Sequence, residues 1–279
     1  MNITFGKRML NLPCLVWSAI FIIVPLLIVI YYTFSDGAGG FSFQNIYDLA
    51  FYKDEFIRSI VYALIATFIC LVLSYPFAYF LTKTSINSQK MMILLVMLPM
   101  WMNLLIKTYS WTVILDNNGV LNRLLNLLGF ESVKFMGTPA AVILGMVYDF
   151  IPYMILPIYT TISKIDDSLL EAAGDLGSNA FSKIKRVILP LSIPGVLSGI
   201  TMVFVPSIST FYISQKLGNG MILLVGDIIE TQFKIPNYPL GAAMSLVLMI
   251  LIIISRTCHN SITYFIIFFS NKEISNIRF

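Results

Sequence analysis

The sequence predicts an all-α integral membrane protein with six membrane-crossing helices. Apolar residues fill 58% of its 279 positions and charged residues only 11%, where soluble domains carry about 25% charged residues. The apolar residues also fall into six runs, each near the roughly 20 residues that a helix needs to cross a bilayer core. Barrel strands would be shorter and would alternate, so helices are the expected spanning elements.

The first run, about 12–34, follows Lys7-Arg8. It is too long for the apolar part of a signal peptide and no small-x-small cleavage site follows it, so it is read as a retained first span. The second run covers about 57–81 and the third about 91–115. Late in the third lie Trp101, Tyr109 and Trp111, which either line a path or form an interfacial aromatic belt. Asn103, Lys107 and Trp111 are four apart and share a helical face. On that face Lys107 is expected to reach back to the outer boundary.

Asp116-Asn117-Asn118-Gly119 reads as a turn. After it, Leu121, Leu124, Leu125 and Leu128 share one helical face opposite Asn122, Arg123 and Asn126, and Gly129 stops the helix. Such a lateral helix either receives an external partner or rests at the lipid interface. The fourth run, about 139–159, carries Asp149 near its middle, flanked by Tyr148 and Phe150. A charge there costs about 2.5–3.5 kcal/mol on insertion scales, so it should face protein or water. It marks either a cation route or a bond to a neighbouring helix. Pro152 and Pro157 are expected to loosen the helix beyond it.

The fifth run, about 189–214, opens at Pro190, and Gly195 to Gly199 forms a small-xxx-small face for close helix packing. Asp227 and Glu230 follow it, placed either to attract a cation or simply to be solvated. The sixth run, about 240–262, meets Arg256, His259 and Asn260 before resuming with Ile262 to Phe269. Either the span ends near Ser255 or the helix is overlong. His259 is the single histidine, which argues against a metal site. Cys14, Cys70 and Cys258 have no short spacing and read as small apolar residues rather than a disulfide or zinc framework.

Basic residues set the expected orientation. With the N-terminus cytoplasmic, Lys7, Arg8, Lys83, Lys90, Lys164, Lys183, Lys185, Arg186, Lys272 and Arg278 lie inside. Lys53, Arg58, Lys107, Arg123, Lys134, Lys216 and Lys234 lie outside, and Arg256 falls within the last run. Ten against seven favours both termini inside. A net charge of +4 lends no support to nucleic-acid binding.

Between spans four and five sits a charged, Gly-punctuated island, 171–177. Asp166 or Asp167 caps a short helix there, Ala172 and Ala173 give it a surface without bulk, and Gly177 ends it. Phe181, Ile184 and Ile188 offer apolar anchors beyond it. A compact helix clamped between two spans suits the transfer of a push from a soluble partner.

Glu171-Ala172-Ala173, three residues, Gly177, and then Leu189-Pro190 resemble the cytoplasmic loop of permease subunits of binding-protein-dependent ABC importers. The stretches 98–109, 169–177 and 239–243 are similar to the spermidine/putrescine branch of that family, the PotB type. The resemblance implies the type I ABC importer permease fold in one 1–279 permease domain, with a coupling loop at about 160–188. Glu171, Ala172, Ala173, Gly177, Phe181 and Pro190 would then serve ATPase coupling. It further implies a bacterial inner-membrane location, a second permease of the PotC type, two ATPases of the PotA type and an external binding protein of the PotD type. The cargo is expected to be a small polycation, with iron, sulfate or another solute as the alternative. Tyr148, Asp149, Trp101, Asn103, Tyr109 and Trp111 are the candidate path residues. No Gly-x-x-x-x-Gly-Lys-Ser/Thr phosphate loop occurs, so no cofactor is expected in this chain and ATP with magnesium would be bound by the partner ATPases. An intramembrane protease would need a catalytic pair at matched depth, and none is visible.

Overall fold

The structure is a computed structural model that describes Pro13, residues 16–36 and the backbone of 40–276, with side chains as far as Thr257. Lys7, Arg8 and Cys14 lie outside the described residues, as do the side chains of Cys258, His259 and Asn260. The described residues are overwhelmingly helical. Among the described residues five helices are long and apolar enough to cross a membrane, and there are six such crossings if one bent pair counts as a single span.

The chain divides into two compact units. One comprises Met1–Asp54 and Ile228–Leu251. It contains α1 (Val24–Thr33), which continues a π turn at Ala19–Ile23. Pro25 follows that π turn, whose register shift accommodates a residue with no N–H to give. Beyond α1, Asn45 donates to the carbonyls of Thr33 and Ser35 at 3.0 and 2.8 Å. Phe34, Phe41 and Phe43 pack ring to ring at 5.0–5.6 Å. In the same unit Tyr238 lies 5.9 Å from Tyr32 and 6.2 Å from Phe233, ring centre to ring centre.

The larger unit comprises Glu55–Asp227 and Ile252–Phe279. Its chain runs through α2 (Lys53–Thr82), α3 (Ile86–Trp101), α4 (Leu104–Leu115), α5 (Val120–Leu127) and α6 (Pro139–Ile162). Then come α7 (Asp167–Asp175), α8 (Leu189–Ser209) and α9 (Tyr212–Leu217). Helices α10 (Val225–Lys234) and α11 (Tyr238–Asn276) link the two units. Two apolar clusters fill the interior of the larger unit. Ala66, Met146, Ile213 and Leu217 belong to one, and Cys70, Met154, Ile158 and Val203 to the other. Small residues on α2 let the neighbouring helices close on it: Ala63, Ala66, Cys70 and Ala78 are fully buried.

The third expected span is not one rod. Helix α3 stops at Trp101, Met102 and Asn103 are extended, and the next helix leaves at 93°. Asn103 makes the restart possible, since its Oδ1 accepts the Leu105 N–H at 2.7 Å. The fifth span also differs, because the helical run begins at Ala180 rather than Leu189. Pro190 therefore does not open it. It follows a π turn at Ile184–Ile188, a register shift that accommodates a residue with no N–H to give. By contrast α6 runs unbroken through Pro152 and Pro157, and α11 continues as one helix past Arg256.

Gly195 and Gly199 are spent inside the chain, on α6. A Cβ at Gly199 would lie 2.6 Å from the Met154 sulfur, and one at Gly195 would lie 2.7 Å from the Pro157 carbonyl and collide with Thr161. The backbones thus approach as closely as small-residue interfaces allow. Gly195→Val should destabilise the folded chain by about 1–3 kcal/mol through overpacking. Thermal unfolding in detergent measures this, with Gly220→Val as the strained but uncrowded control.

Candidate functional site

Two places in the larger unit bring the singled-out residues together. The first is α7. Asp166 caps it, its Oδ1 accepting the Ser168 N–H at 3.0 Å, and that bond holds the Asp166 carboxyl below the ordinary carboxylate range. The cap is therefore intact at neutral pH and weakens as pH falls through that lowered value. Glu171 stands in the second turn, exposed, with Ala172 beside it, while Ala173 is half-buried. The helix ends in a complete Schellman motif. Ser178 donates to Ala173 at 3.0 Å, Gly177 donates to Gly174 at 2.8 Å, and Gly177 adopts φ +78°. Only a residue without Cβ takes that conformation freely, which explains the glycine.

Past the motif, Asn179 caps the run that enters α8 by accepting the Ser182 N–H. Phe181, expected as an anchor, is 73% exposed, and Leu176 is 87% exposed. Two large apolar side chains thus stand outward beside Glu171, while Ile188 is buried as expected. Behind α7 lies a cavity of about 140 Å³ lined by Tyr79, Thr82, Lys83, Gln89, Asp167 and Leu170 among others. Gln89 braces its wall. It donates to the Thr84 carbonyl at 3.0 Å and accepts from the Tyr159 hydroxyl at 2.9 Å, joining α3 to α6. Helix α7 is therefore seated where α2 and α6 end and α3 begins.

The second place lies between α4 and α6. Lys107 and Asp149 form an ion pair at 2.6 Å, with 7% and 5% of their side chains exposed. The expectation that Lys107 would reach the outer boundary is wrong. A long lysine bends toward water only when no counter-charge is nearer, and Asp149 is nearer. The depth would have revealed it. Lys107 stands eight residues before the end of α4 and Asp149 ten residues after the start of α6. At 1.5 Å per residue these are roughly 12 and 15 Å from helix ends joined by the segment that carries α5. One turn along, the Trp111 and Tyr148 rings meet edge to face at 5.2 Å.

Tyr109 points elsewhere, toward α9. Its ring lies 6.4 Å from that of Tyr212, and the Lys216 ammonium sits over both, 4.9 Å from Tyr109 and 5.7 Å from Tyr212. Neither Tyr212 nor Lys216 had been singled out from the sequence. Trp101 is exposed at the break, and Asn103 is committed to its cap. The path candidates therefore do not form one cluster. Tyr148, Asp149 and Trp111 come together, Tyr109 faces another way, and Trp101 and Asn103 mark the hinge.

Asp227 is neither solvated nor offered to a ligand. It is buried and accepts the Leu224 N–H at 2.7 Å, fixing the entry to α10. Glu230 pairs with Lys234 at 2.9 Å. In the lateral helix the buried residue is Asn122, which exchanges two bonds with Val133, while Leu124 and Leu128 face outward.

Multiple apolar crossings, a broken third span and a stapled short helix between spans four and five define a type I ABC importer permease. Residues 6–266 match the family described as binding-protein-dependent transport system inner membrane component, and the chain belongs to that family. Among curated relatives, the spermidine/putrescine transport system permease protein PotB of Haemophilus influenzae is 39% identical, over 84% of this chain and 86% of that protein. PotB of Escherichia coli K12 is 38% identical, over 84% and 89%. Among solved structures, a bacterial ABC transporter involved in the import of the acidic polysaccharide alginate superposes with a TM-score of 0.75. That match covers 93% of this chain and 96% of that chain at 18% identity, a likeness of fold.

The buried pair makes a specific prediction. Lys107→Met or Asp149→Asn alone should destabilise the chain by about 3–5 kcal/mol, because each strands a buried charge. The double variant should recover most of the loss. The yield and melting temperature of the detergent-purified protein check this.

Proposed function

We propose that this chain is one permease half of an ATP-driven importer of polyamines, spermidine or putrescine, handed over by an external binding protein. The observation that carries the reading is its 38–39% identity, over 84% of its length, to PotB permeases. At that identity and coverage a shared cargo class is the economical reading.

Orientation follows from the loops. With Lys107 buried against Asp149 it leaves the outer tally, so ten basic residues inside face six outside. Both termini and α7 then lie in the cytoplasm. There Glu171, Ala172, Ala173 and Gly177 present a compact helix to a groove of an ATPase, with Phe181 as an exposed apolar contact. The fifth-span run begins at Ala180, just past that helix, and carries the π turn and Pro190 in its first turns. ATP with magnesium is bound by two partner ATPases of the PotA type. A second permease of the PotC type completes the pathway, and a binding protein of the PotD type supplies the cargo.

A polyamine is a flexible polycation, so its route needs carboxylate, carbonyl and aromatic faces. Asp149 supplies the carboxylate, with Tyr148 and Trp111 beside it. The chain unwinds at 102–103 beside Trp101, the kind of broken helix that carries cation sites in transporters, and Asn103 caps the restart there. Tyr109 offers a ring face toward α9.

Affinity purification through this chain in mild detergent should recover a second permease and an ATPase, and the reconstituted complex with its binding protein should import spermidine on ATP. Recovery of the chain alone would count against the assembly. A complex that ignores spermidine but imports another solute would overturn the polyamine assignment. Glu171→Lys should cut uptake about thirtyfold, the loss of one interface hot spot, with the chain still inserted in the membrane. Normal uptake by that variant would remove the coupling role.

A further inference from the structure

Asp149 poses a difficulty for any cation that is to use it. Its carboxylate already holds an ammonium, that of Lys107 at 2.6 Å, and the pair is shut away from solvent. An incoming polycation therefore meets a neutral pair rather than a negative charge.

The chemistry of the resident group suggests why it is there. A lysine side chain is a four-carbon stem ending in a primary ammonium. Putrescine and the aminobutyl end of spermidine are the same four-carbon stem and ammonium. Lys107 thus places a covalently tethered copy of the cargo's own end group against Asp149. We propose that Lys107 is an internal competitor for the substrate: it fills the Asp149 subsite in the resting chain and is displaced there by an ammonium group of the polyamine. This inference rests on the reading of Asp149 as part of the polyamine path.

Exchange of one ammonium for another keeps the carboxylate paired throughout, and the displaced Lys107 ammonium turns to water or backbone carbonyls in the opened path. A neutral or anionic solute cannot make the exchange. It would have to remove Lys107 and leave Asp149 alone, which is how a site rejects a competitor through an unpaired group. The surroundings suit such an exchange. Trp111, one turn beyond Lys107, and Tyr148, next to Asp149 in the chain, meet ring to ring and offer faces for an alkylammonium. Lys107 lies one turn after the Met102–Asn103 break, so its helix can shift without bending α3. The arrangement also has a parallel, since the Tyr109 and Tyr212 rings are likewise occupied by a lysine of the same chain, Lys216.

The test uses the complete importer. Binding of radiolabelled putrescine is measured on the purified complex, and uptake is measured in proteoliposomes supplied with the binding protein. Lys107→Met removes the competitor, and putrescine should bind about tenfold tighter or better, as when a tethered ligand of high effective concentration is deleted. Lys107→Arg keeps the pair and the fold but grips the carboxylate bidentately, so uptake should fall about tenfold while the complex assembles normally. Lys107→Met with Asp149→Asn should abolish putrescine binding. If the Arg variant binds and imports putrescine like the wild type, Lys107 is a structural partner only and the inference falls. That outcome decides the matter even where the Met variant fails to assemble. If the neutral double variant still imports putrescine normally, the assignment of Asp149 to the path falls instead, and the inference with it.

Discussion

A charge placed halfway along an apolar span has no water to turn to, so the rest of the bundle must answer it. Asp149 is answered by Lys107, and that one contact fixes the azimuth of α4 against α6. It also fixes the faces left over. With Lys107 and Trp111 turned to α6, Tyr109 must face α9, two residues being more than half a turn on a helix. The 93° break before α4 is part of the same solution, because a straight third span would carry these side chains along a different line.

Close packing does for the other helices what the ion pair does for α4. Glycines at 195 and 199 let α8 settle onto α6 at backbone distance, with Met154, Pro157 and Thr161 as the opposing surface. The same helical run reaches back through the π turn to Ala180, immediately beyond the Schellman motif that ends α7. Helix α7 is thus joined to α8 by a few residues of capped, nearly continuous helix, and α8 packs on α6, which carries Asp149. Tightly packed elements of this kind shift as bodies rather than deform.

Much of this was legible beforehand, and for identifiable reasons. Span existence depends on run length and hydropathy alone, so the helical class and crossings followed from composition and patterning. A cap at Asp166 or Asp167 and the Gly177 stop were legible because capping uses few residue types at fixed offsets, and the fold chose Asp166. Elsewhere the local signal misled. Asn103 looked like a polar residue on a helical face, although it caps a restart, because a break between two apolar helices leaves the hydropathy unchanged. Pro190 looked like a helix start because a π turn has no sequence signature of its own. Phe181 stands exposed on this chain, and which way an aromatic residue points depends on neighbours that are distant in the chain.

The sequence by itself determined what is local or additive: which stretches are apolar and long enough to cross a membrane, where a short capped helix interrupts them, and which charges fall inside an apolar run. Only the tertiary structure decided pairings: that Lys107 serves Asp149 rather than the lipid boundary, that Lys216 covers Tyr109 and Tyr212, and that Asp227 is buried. The physical reason is range. Capping and hydropathy act over a few residues, whereas a charge in a low-dielectric interior is satisfied by whichever opposite group the fold brings closest, at any distance along the chain.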